Sequence, residues 1–230
     1  MRIAIMQPTY LPWMGYFAMI DQVDIFVIFE SVQFSKRSWQ QRNQINTANG
    51  PIWLTVPVLS KGKRGQLINA VEIDTTSNFH KSHISSIVHN YCKSPYFLEY
   101  SGELFSILKK KHSNLSELTT ELIIFLCRVL GITTTIKYSS KMENKGTKAD
   151  LLAMLCQQLD ATEYVSAIGS QDYLEASGIF NKLAIPIKYN EYNHPKYLQP
   201  FGKFVPYMSI IDLLFNVGPK SLSVIRQGYK

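Results

Sequence analysis

Arg2-Ile-Ala-Ile-Met6, then Gln7-Pro-Thr-Tyr-Leu-Pro-Trp-Met-Gly-Tyr16, then Asp24-Ile-Phe-Val-Ile-Phe29 is the stretch that decides the fold. Two short apolar runs flank a segment broken at Gln7-Pro8 and again at Pro12. After the second break Trp13, Phe17 and Ile20 recur at helical spacing. Short, nearly continuous apolar runs bounded by turn residues read as strands covered on both faces. The order strand, loop, helix, strand predicts a βαβ unit whose two strands lie parallel. Pro12 is expected in the first helical turn, where its missing N–H costs nothing.

Outward from this unit, Trp39–Ile45, Asn49-Gly50 and Pro51–Val58 read as a hairpin joined by an Asn-Gly turn. If residues 39–45 are extended, Trp39, Gln41, Asn43 and Ile45 share one face. Ser60-Lys-Gly-Lys-Arg-Gly65 is a basic loop, and Leu67–Ile73 is expected to add a strand. From Ser77 to Gly131 the pattern is mostly helical. Asn114 with Glu117 three residues on suggests a capping box, the segment Leu115–Leu130 carries an apolar face, and Gly131 supplies a stop. The last third alternates again: a strand at Ile132–Tyr138, a helix opened by Thr147 and Asp150, strands at Tyr164–Ala167 and Ile185–Tyr189, and a helix from Tyr207 to about Phe215. The expected fold is α/β, with a mixed or mostly parallel sheet, flanking helices and a helical middle section. Residues 1–230 read as one such domain, with a helical insertion or lobe at about 77–131.

Of the 230 residues, 46% are hydrophobic and 18% charged, which is far from a disordered composition. A chain of this length buries roughly 70% of its unfolded surface and needs no disulfide or metal to fold. Cys92, Cys127 and Cys156 form no C-x-x-C pair, so neither a zinc knuckle nor a redox dithiol is signalled. No Gly-x-Gly-x-x-Gly and no P-loop lysine occur, so no metal or nucleotide-cofactor motif is found. The apolar runs fall far short of the ~20 residues a membrane span requires, and the opening lacks the apolar core of a signal peptide. A cytoplasmic protein is expected. Its net charge of +7 favours anionic partners.

In an open α/β sheet ligands bind at the carboxyl ends of the strands. The first such end is Gln7–Tyr16, with an amide, aromatic rings and a helix start that could receive phosphate, although it fits a structural turn equally well. Lys36-Arg-Ser-Trp-Gln-Gln-Arg-Asn43 supplies cations, a ring for stacking and amides within one short segment; the alternative is an edge strand guarded by charge. The two segments are expected to line one cleft. His80, His83 and His89 cannot meet one ion from one straight helix, because His89 lies about 180° from His80. His194, in a polar loop after a strand, is a candidate general base. Asp212 and Asn216 share one face of an apolar helix, as buried hydrogen-bonding residues or as part of a cleft.

Several of these stretches together resemble the WbqC-like family. They are Ile3–Phe17, Phe26–Phe34, Lys36–Asn43, Lys145-Gly-Thr-Lys148, Tyr164-Val-Ser166 with Tyr173, Tyr192-Asn-His-Pro195, and Ser209–Asn216 before Gly218. Ala167 stands where the pattern has Gly. The resemblance implies work in bacterial surface polysaccharide or O-antigen assembly, by transfer of an acyl or aminoacyl group, glycyl among them, to a nucleotide-linked amino sugar. A sugar nucleotide, coenzyme A and an aminoacyl-tRNA are the partners it implies. The alternatives are a nucleotidyl- or adenylyl-transferring enzyme and a non-catalytic sugar-nucleotide-binding protein. The candidate catalytic residues are His194, Gln7 and Asp212. The candidate substrate-binding residues are Tyr10, Tyr16, Lys36, Arg37, Arg42, Asn43, Lys145, Tyr173 and Tyr192.

Overall fold

Alternation along β1 (Arg2–Met6) sends Ile3 and Ile5 to one face and Ala4 and Met6 to the other, and apolar side chains cover both. A computed structural model describes residues 1–229. The chain leaves β1 through α1 (Met14–Asp21) and returns in β2 (Ile25–Ile28), which pairs parallel to β1 with Ile3 opposite Ile25 and Met6 opposite Ile28. The expected βαβ unit is therefore present. Pro12, however, lies outside the helix. Trp13 is the extended N-terminal cap and bridges to Ser209, while the Pro12 carbonyl accepts the Ile210 N–H at 2.8 Å. The entry to α1 is thus set by a distant segment rather than by proline.

Next comes an antiparallel hairpin, β3 (Arg42–Ile45) with β4 (Ile52–Thr55), in which Arg42 faces Thr55 and Ile45 faces Ile52. The strand begins at Arg42, not Trp39. Residues before it coil tightly: Arg37 is left-handed at φ 60°, and the Gln40 and Gln41 side chains accept the N–H groups of Ser35 and Arg37 at 2.8 and 3.0 Å. Trp39 therefore does not share a strand face with Asn43. The strand expected at Leu67–Ile73 is instead a 3-10 turn over Ile68–Ala70, flanked by single bridges Gln33–Leu67 and Val58–Ile73. Its neighbour at Val58 follows Pro57, which has no N–H to extend a ladder.

Three helices follow, α2 (Phe79–Tyr91), α3 (Phe97–Lys109) and α4 (Leu115–Leu130). The ends of α4 follow from local chemistry. Asn114 Oδ1 accepts the Glu117 N–H at 2.9 Å, the Glu117 carboxylate accepts the Ser113 N–H at 2.8 Å, and Gly131 closes the helix at φ 78°. Replacing Asn114 by Ala is expected to lower the unfolding free energy by about 1 kcal/mol. A urea midpoint unchanged from the parent would show that the cap contributes nothing.

After α4 the chain supplies β5 (Thr135–Tyr138), α5 (Lys148–Gln158), β6 (Glu163–Ala167), α6 (Gln171–Ser177), α7 (Ile179–Lys182) and β7 (Ile187–Asn190). It ends in α8 (Ile210–Val217) and α9 (Ser221–Arg226). The helix expected from Tyr207 starts at Ile210, because Tyr207 is left-handed at φ 63° and Ser209 caps the first turn. The five strands form one parallel sheet in the order β5-β2-β1-β6-β7. Helices α5, α6 and α7 cover Ile3, Ile5, Ile25 and Val27, while α1, α4 and α8 belong to the core on the other face. From β1 the chain winds outward through β2 to β5, then crosses back to β6 on the other side of β1. The order reverses between β1 and β6, and the crevice at such a reversal is where doubly wound sheets bind ligands.

Candidate functional site

A cleft of about 740 Å³ opens at these carboxyl ends. Gln7 reaches it from β1, Phe29 and Ser31 from β2, Tyr173 from α6, and Thr147 and Lys148 from the start of α5. Its apolar wall includes Leu151 and Leu152, the buried face of α5. The entry to α5 is latched to β2. Ser139 Oγ accepts the N–H groups of Glu30 and Ser31 at 3.1 Å, Ser31 Oγ donates to Asn144 Oδ1 at 2.8 Å, and Asn144 Nδ2 donates to the Ser139 carbonyl at 2.7 Å. Beyond this latch Gly146 takes φ 87°, and a Cβ there would lie 3.2 Å from Asp150 Cβ. Lys148 takes φ 50°, a conformation that costs a β-carbon-bearing residue about 1–2 kcal/mol. Strain of this kind collects at binding sites. Lys148 is exposed and has no carboxylate within salt-bridge distance among the described residues. It stands at the positive end of an eleven-residue helix whose first N–H groups have no intrahelical partner. Such a corner has the chemistry to receive an anion.

Gln7 is fixed from two sides. Its Oε1 accepts Gln40 Nε2 at 2.6 Å, and its backbone carbonyl accepts the Tyr16 hydroxyl at 3.2 Å. The Gln7 amide nitrogen keeps its two donors for a ligand. The Gln7–Tyr16 and Lys36–Asn43 segments lie together, but of their residues only Gln7 lines the cleft they were expected to share: besides the Gln7–Gln40 bond, Tyr10 N–H donates to the Trp39 carbonyl at 3.0 Å and Asn43 Nδ2 to the Leu11 carbonyl at 2.5 Å. What they share is mostly scaffold. Asn43, Tyr10 and Tyr16 are almost fully buried. The Tyr10 hydroxyl meets His83 Nδ1 at 2.8 Å, and burial pushes both tyrosine hydroxyls far above their usual range.

Of the expected ligand residues, the structure brings Gln7 and Tyr173 into the cleft and leaves the cations out. Lys36 and Arg37 are exposed on the coil before β3, and the Arg42 guanidinium lies over the Trp53 ring at 4.2 Å. Lys145 points to solvent and pairs with Glu143 at 3.1 Å. The Tyr192 hydroxyl donates to the Ile225 carbonyl at 3.0 Å, and its ring meets the Trp13 edge.

His194 is half-buried and stacked on Trp13 at a centroid distance of 5.9 Å. Its Nδ1 lies 2.9 Å from the Pro195 carbonyl and so carries the proton, while Nε2 accepts the Tyr207 N–H at 3.1 Å. The lone pair a general base would use is thereby engaged, and burial holds the imidazole pKa below its ordinary value. Asp212 is fully buried: it accepts the Tyr91 and Tyr197 hydroxyls at 2.7 Å each and Gln199 Nε2 at 3.0 Å. Burial pushes its carboxyl upward, with these three donors pulling the other way.

Two residues that sequence reasoning passed over stand out. Lys148 belongs to a helix start that was legible, but its place in the cleft was not. Glu30 follows β2 and lines a second cleft of about 450 Å³ on the α4 side of the sheet. It is 8% exposed and accepts Ser116 Oγ at 2.5 Å together with the Ser140 hydroxyl. A polar residue closing an apolar strand was the available signal. Among the described residues no cluster of His, Cys, Asp or Glu could hold a metal ion, and no helix is long and apolar enough to cross a membrane.

A parallel, doubly wound α/β sheet with a cleft at its reversal point defines the class: a Rossmann-like α/β fold. Within that class the chain belongs to the WbqC-like protein family, which it matches over residues 7–224. It is also 40% identical over 227 residues to the uncharacterized protein Rv1507c of Mycobacterium tuberculosis (strain ATCC 25618 / H37Rv), a match covering 98% of this chain and 97% of that protein. No solved structure matches it.

Proposed function

We propose that this chain is a group transferase that holds a nucleotide-linked amino sugar in the β1–α5 cleft and places an acyl or aminoacyl group on the sugar's amine, in assembly of bacterial surface polysaccharide. The observation that carries the reading is Lys148, unpaired and left-handed, at the head of α5 beside the free donors of Gln7. A phosphate there meets a cation, a helix N-terminus and an amide at once. Tyr173 and the apolar wall of α5 suit the flat rings of a base or sugar. In the transfer step the amine nitrogen attacks the acyl carbon of a thioester or ester donor. A C–N bond forms, the C–S or C–O bond breaks, and the amine proton passes to the departing thiol or alcohol through solvent. In this reading His194 and Asp212 touch no reacting atom and hold the loop between β7 and α8.

The test is mass spectrometry of UDP-linked amino sugars incubated with acyl-coenzyme A or aminoacyl-tRNA donors. The expected product is heavier by the acyl group, with the nucleotide intact. Pyrophosphate released from ATP would instead select a nucleotidyl-transferring enzyme, and binding without turnover a non-catalytic binding protein. Lys148→Ala is expected to weaken UDP-sugar binding by about 10- to 100-fold, the ~1.5–3 kcal/mol of a charge-assisted bond. Arg37→Ala and Arg42→Ala are expected to change it less than about threefold, since neither side chain reaches the cleft. Equal affinity of the Lys148 variant and the parent in calorimetry would remove the anion seat from α5.

A further inference from the structure

We infer that the hairpin unit, residues 31–71, is a docking surface for single-stranded nucleic acid. The first observation is charge. Between Ser31 and Val71 there are six cations, Lys36, Arg37, Arg42, Lys61, Lys63 and Arg64, and no carboxylate at all. The remainder of the chain is nearly neutral, with 18 Lys and Arg against 17 Asp and Glu. Almost the whole net charge of +7 therefore sits on one unit. The fold gathers it further. Phe34 N–H donates to the Gln66 carbonyl at 2.9 Å and Gln33 bridges Leu67, which lays the Lys61–Arg64 loop beside Lys36 and Arg37. Five of the six cations are exposed, and of these Lys63 alone has a carboxylate partner, Glu72 at 3.1 Å.

The second observation is aromatic. Trp39 is 47% and Trp53 43% exposed, with ring centroids 5.3 Å apart. Tryptophan left this far in solvent on a folded surface is uncommon, and two in contact form a platform. The Arg42 guanidinium carbon lies 4.2 Å from the centre of the Trp53 ring, and its buried Nε has no hydrogen-bond partner. Stacking rings flanked by a groove of cations is the arrangement that holds unpaired bases while tracking their phosphates. Exposed rings can stack only on bases that are free of a duplex, which favours a single strand over a double one. An anionic bilayer shares the charge chemistry alone, since the arginine lid on Trp53 stacks with a base but would hinder insertion into acyl chains.

The surface also abuts the proposed active cleft, because Gln33 and Leu67 line that cleft and Gln40 holds Gln7. A single-stranded end lying on the tryptophans could thus present a group there. The docking surface stands or falls separately from the nucleotide reading, and Lys148→Ala is expected to leave it intact.

The experiment is fluorescence anisotropy of a labelled twelve-nucleotide oligouridine with the full chain, read beside the quenching of intrinsic tryptophan emission. Saturable binding is expected, with log affinity falling against log salt at a slope of about −3, for four unpaired exposed cations at ~0.7 each. Trp39→Ala and Trp53→Ala should each weaken it about tenfold. Lys36→Ala/Arg37→Ala should flatten the slope, whereas Lys109→Ala/Lys111→Ala, two cations removed at the end of α3, should leave affinity unchanged. An equal loss in that control pair would reduce the effect to net charge and overturn the surface. Absence of binding at low salt would overturn it as well, as would capture by phosphatidylglycerol vesicles with none by oligouridine. Weakened binding of UDP-sugar to Lys148→Ala with oligouridine binding retained separates the two sites.

Discussion

Replacing Asp212 by Ala is expected to lower the unfolding free energy by about 3–5 kcal/mol, a large share of the margin of an ordinary domain. The side chain has no exposed surface and accepts three donors: the hydroxyls of Tyr91 and Tyr197 and the amide of Gln199. Each donor left unsatisfied in the interior costs about 1–3 kcal/mol. The three come from different places. Tyr91 ends α2 and also accepts the Asn46 N–H at 2.9 Å just after β3, while Tyr197 and Gln199 lie in the loop before α8. Asp212 thus ties the helical middle section, the hairpin and the C-terminal loop to α8, and no neighbour can replace it without moving one of them. Asp212→Asn keeps one acceptor oxygen and should lose less than the Ala variant. Urea unfolding decides the matter: a loss below about 1 kcal/mol in Asp212→Ala would mean the donors find water or other partners. Affinity for UDP-sugar, measured where the variant is still folded, is expected to stay near parental, since the role assigned to Asp212 is to hold the fold.

Asp212 also shows what a sequence conveys about a site and what it withholds. Its polar character on an apolar helix was plain, and so was the choice between a buried network and a cleft. The choice itself depends on Tyr91, which is 121 residues away. The βαβ opening and α4 were legible because their signals are local: continuous apolar runs between turn residues, and caps at both ends of one helix. Leu67–Ile73 misled because alternation marks a chain that could pair, not the presence of a partner. Tyr10 and Tyr16 sit next to a strand end, yet the turn aims both inward, and proximity in sequence has no sense of direction. Lys36, Arg37 and Arg42 were read as the phosphate seat from composition. The cation that lines the cleft instead, Lys148, needs β2, Ser139 and Asn144 to place it. Three segments far apart in the chain build it, so no local pattern could announce it.

Acid is expected to destabilise the protein through His83 before its carboxylates are neutralised. His83 lies on α2 with 5% exposure, its ring hydrogen-bonded to the Tyr10 hydroxyl at 2.8 Å and to the backbone of Thr55. Burial drives its pKa from 6.5 down to about 4, with the nearby His80 adding slightly and the Thr55 bond opposing. Below pH 6.5 the unfolded chain takes up a proton that the folded chain refuses until about pH 4. The unfolded state therefore binds more protons throughout that window, and stability must rise with pH across it. The contribution is fully present above pH 6.5 and is lost as pH falls toward 4, in total about 3 kcal/mol. His194, also held low by burial, acts with the same sign. Asp21 and Glu121 are held below their ordinary values, so their contributions are lost only at lower pH. The contrast with His83→Gln isolates the effect, because glutamine keeps a donor and an acceptor but cannot titrate. Urea unfolding from pH 7.5 to 4.5 should give a parental curve steeper than the variant's by roughly 2–3 kcal/mol over the range. Parallel curves would show that His83 is protonated in the folded protein as readily as in the unfolded one. The Tyr10–His83 contact would then be open to water, and the turn that carries Gln7 would rest on something other than this buried pair.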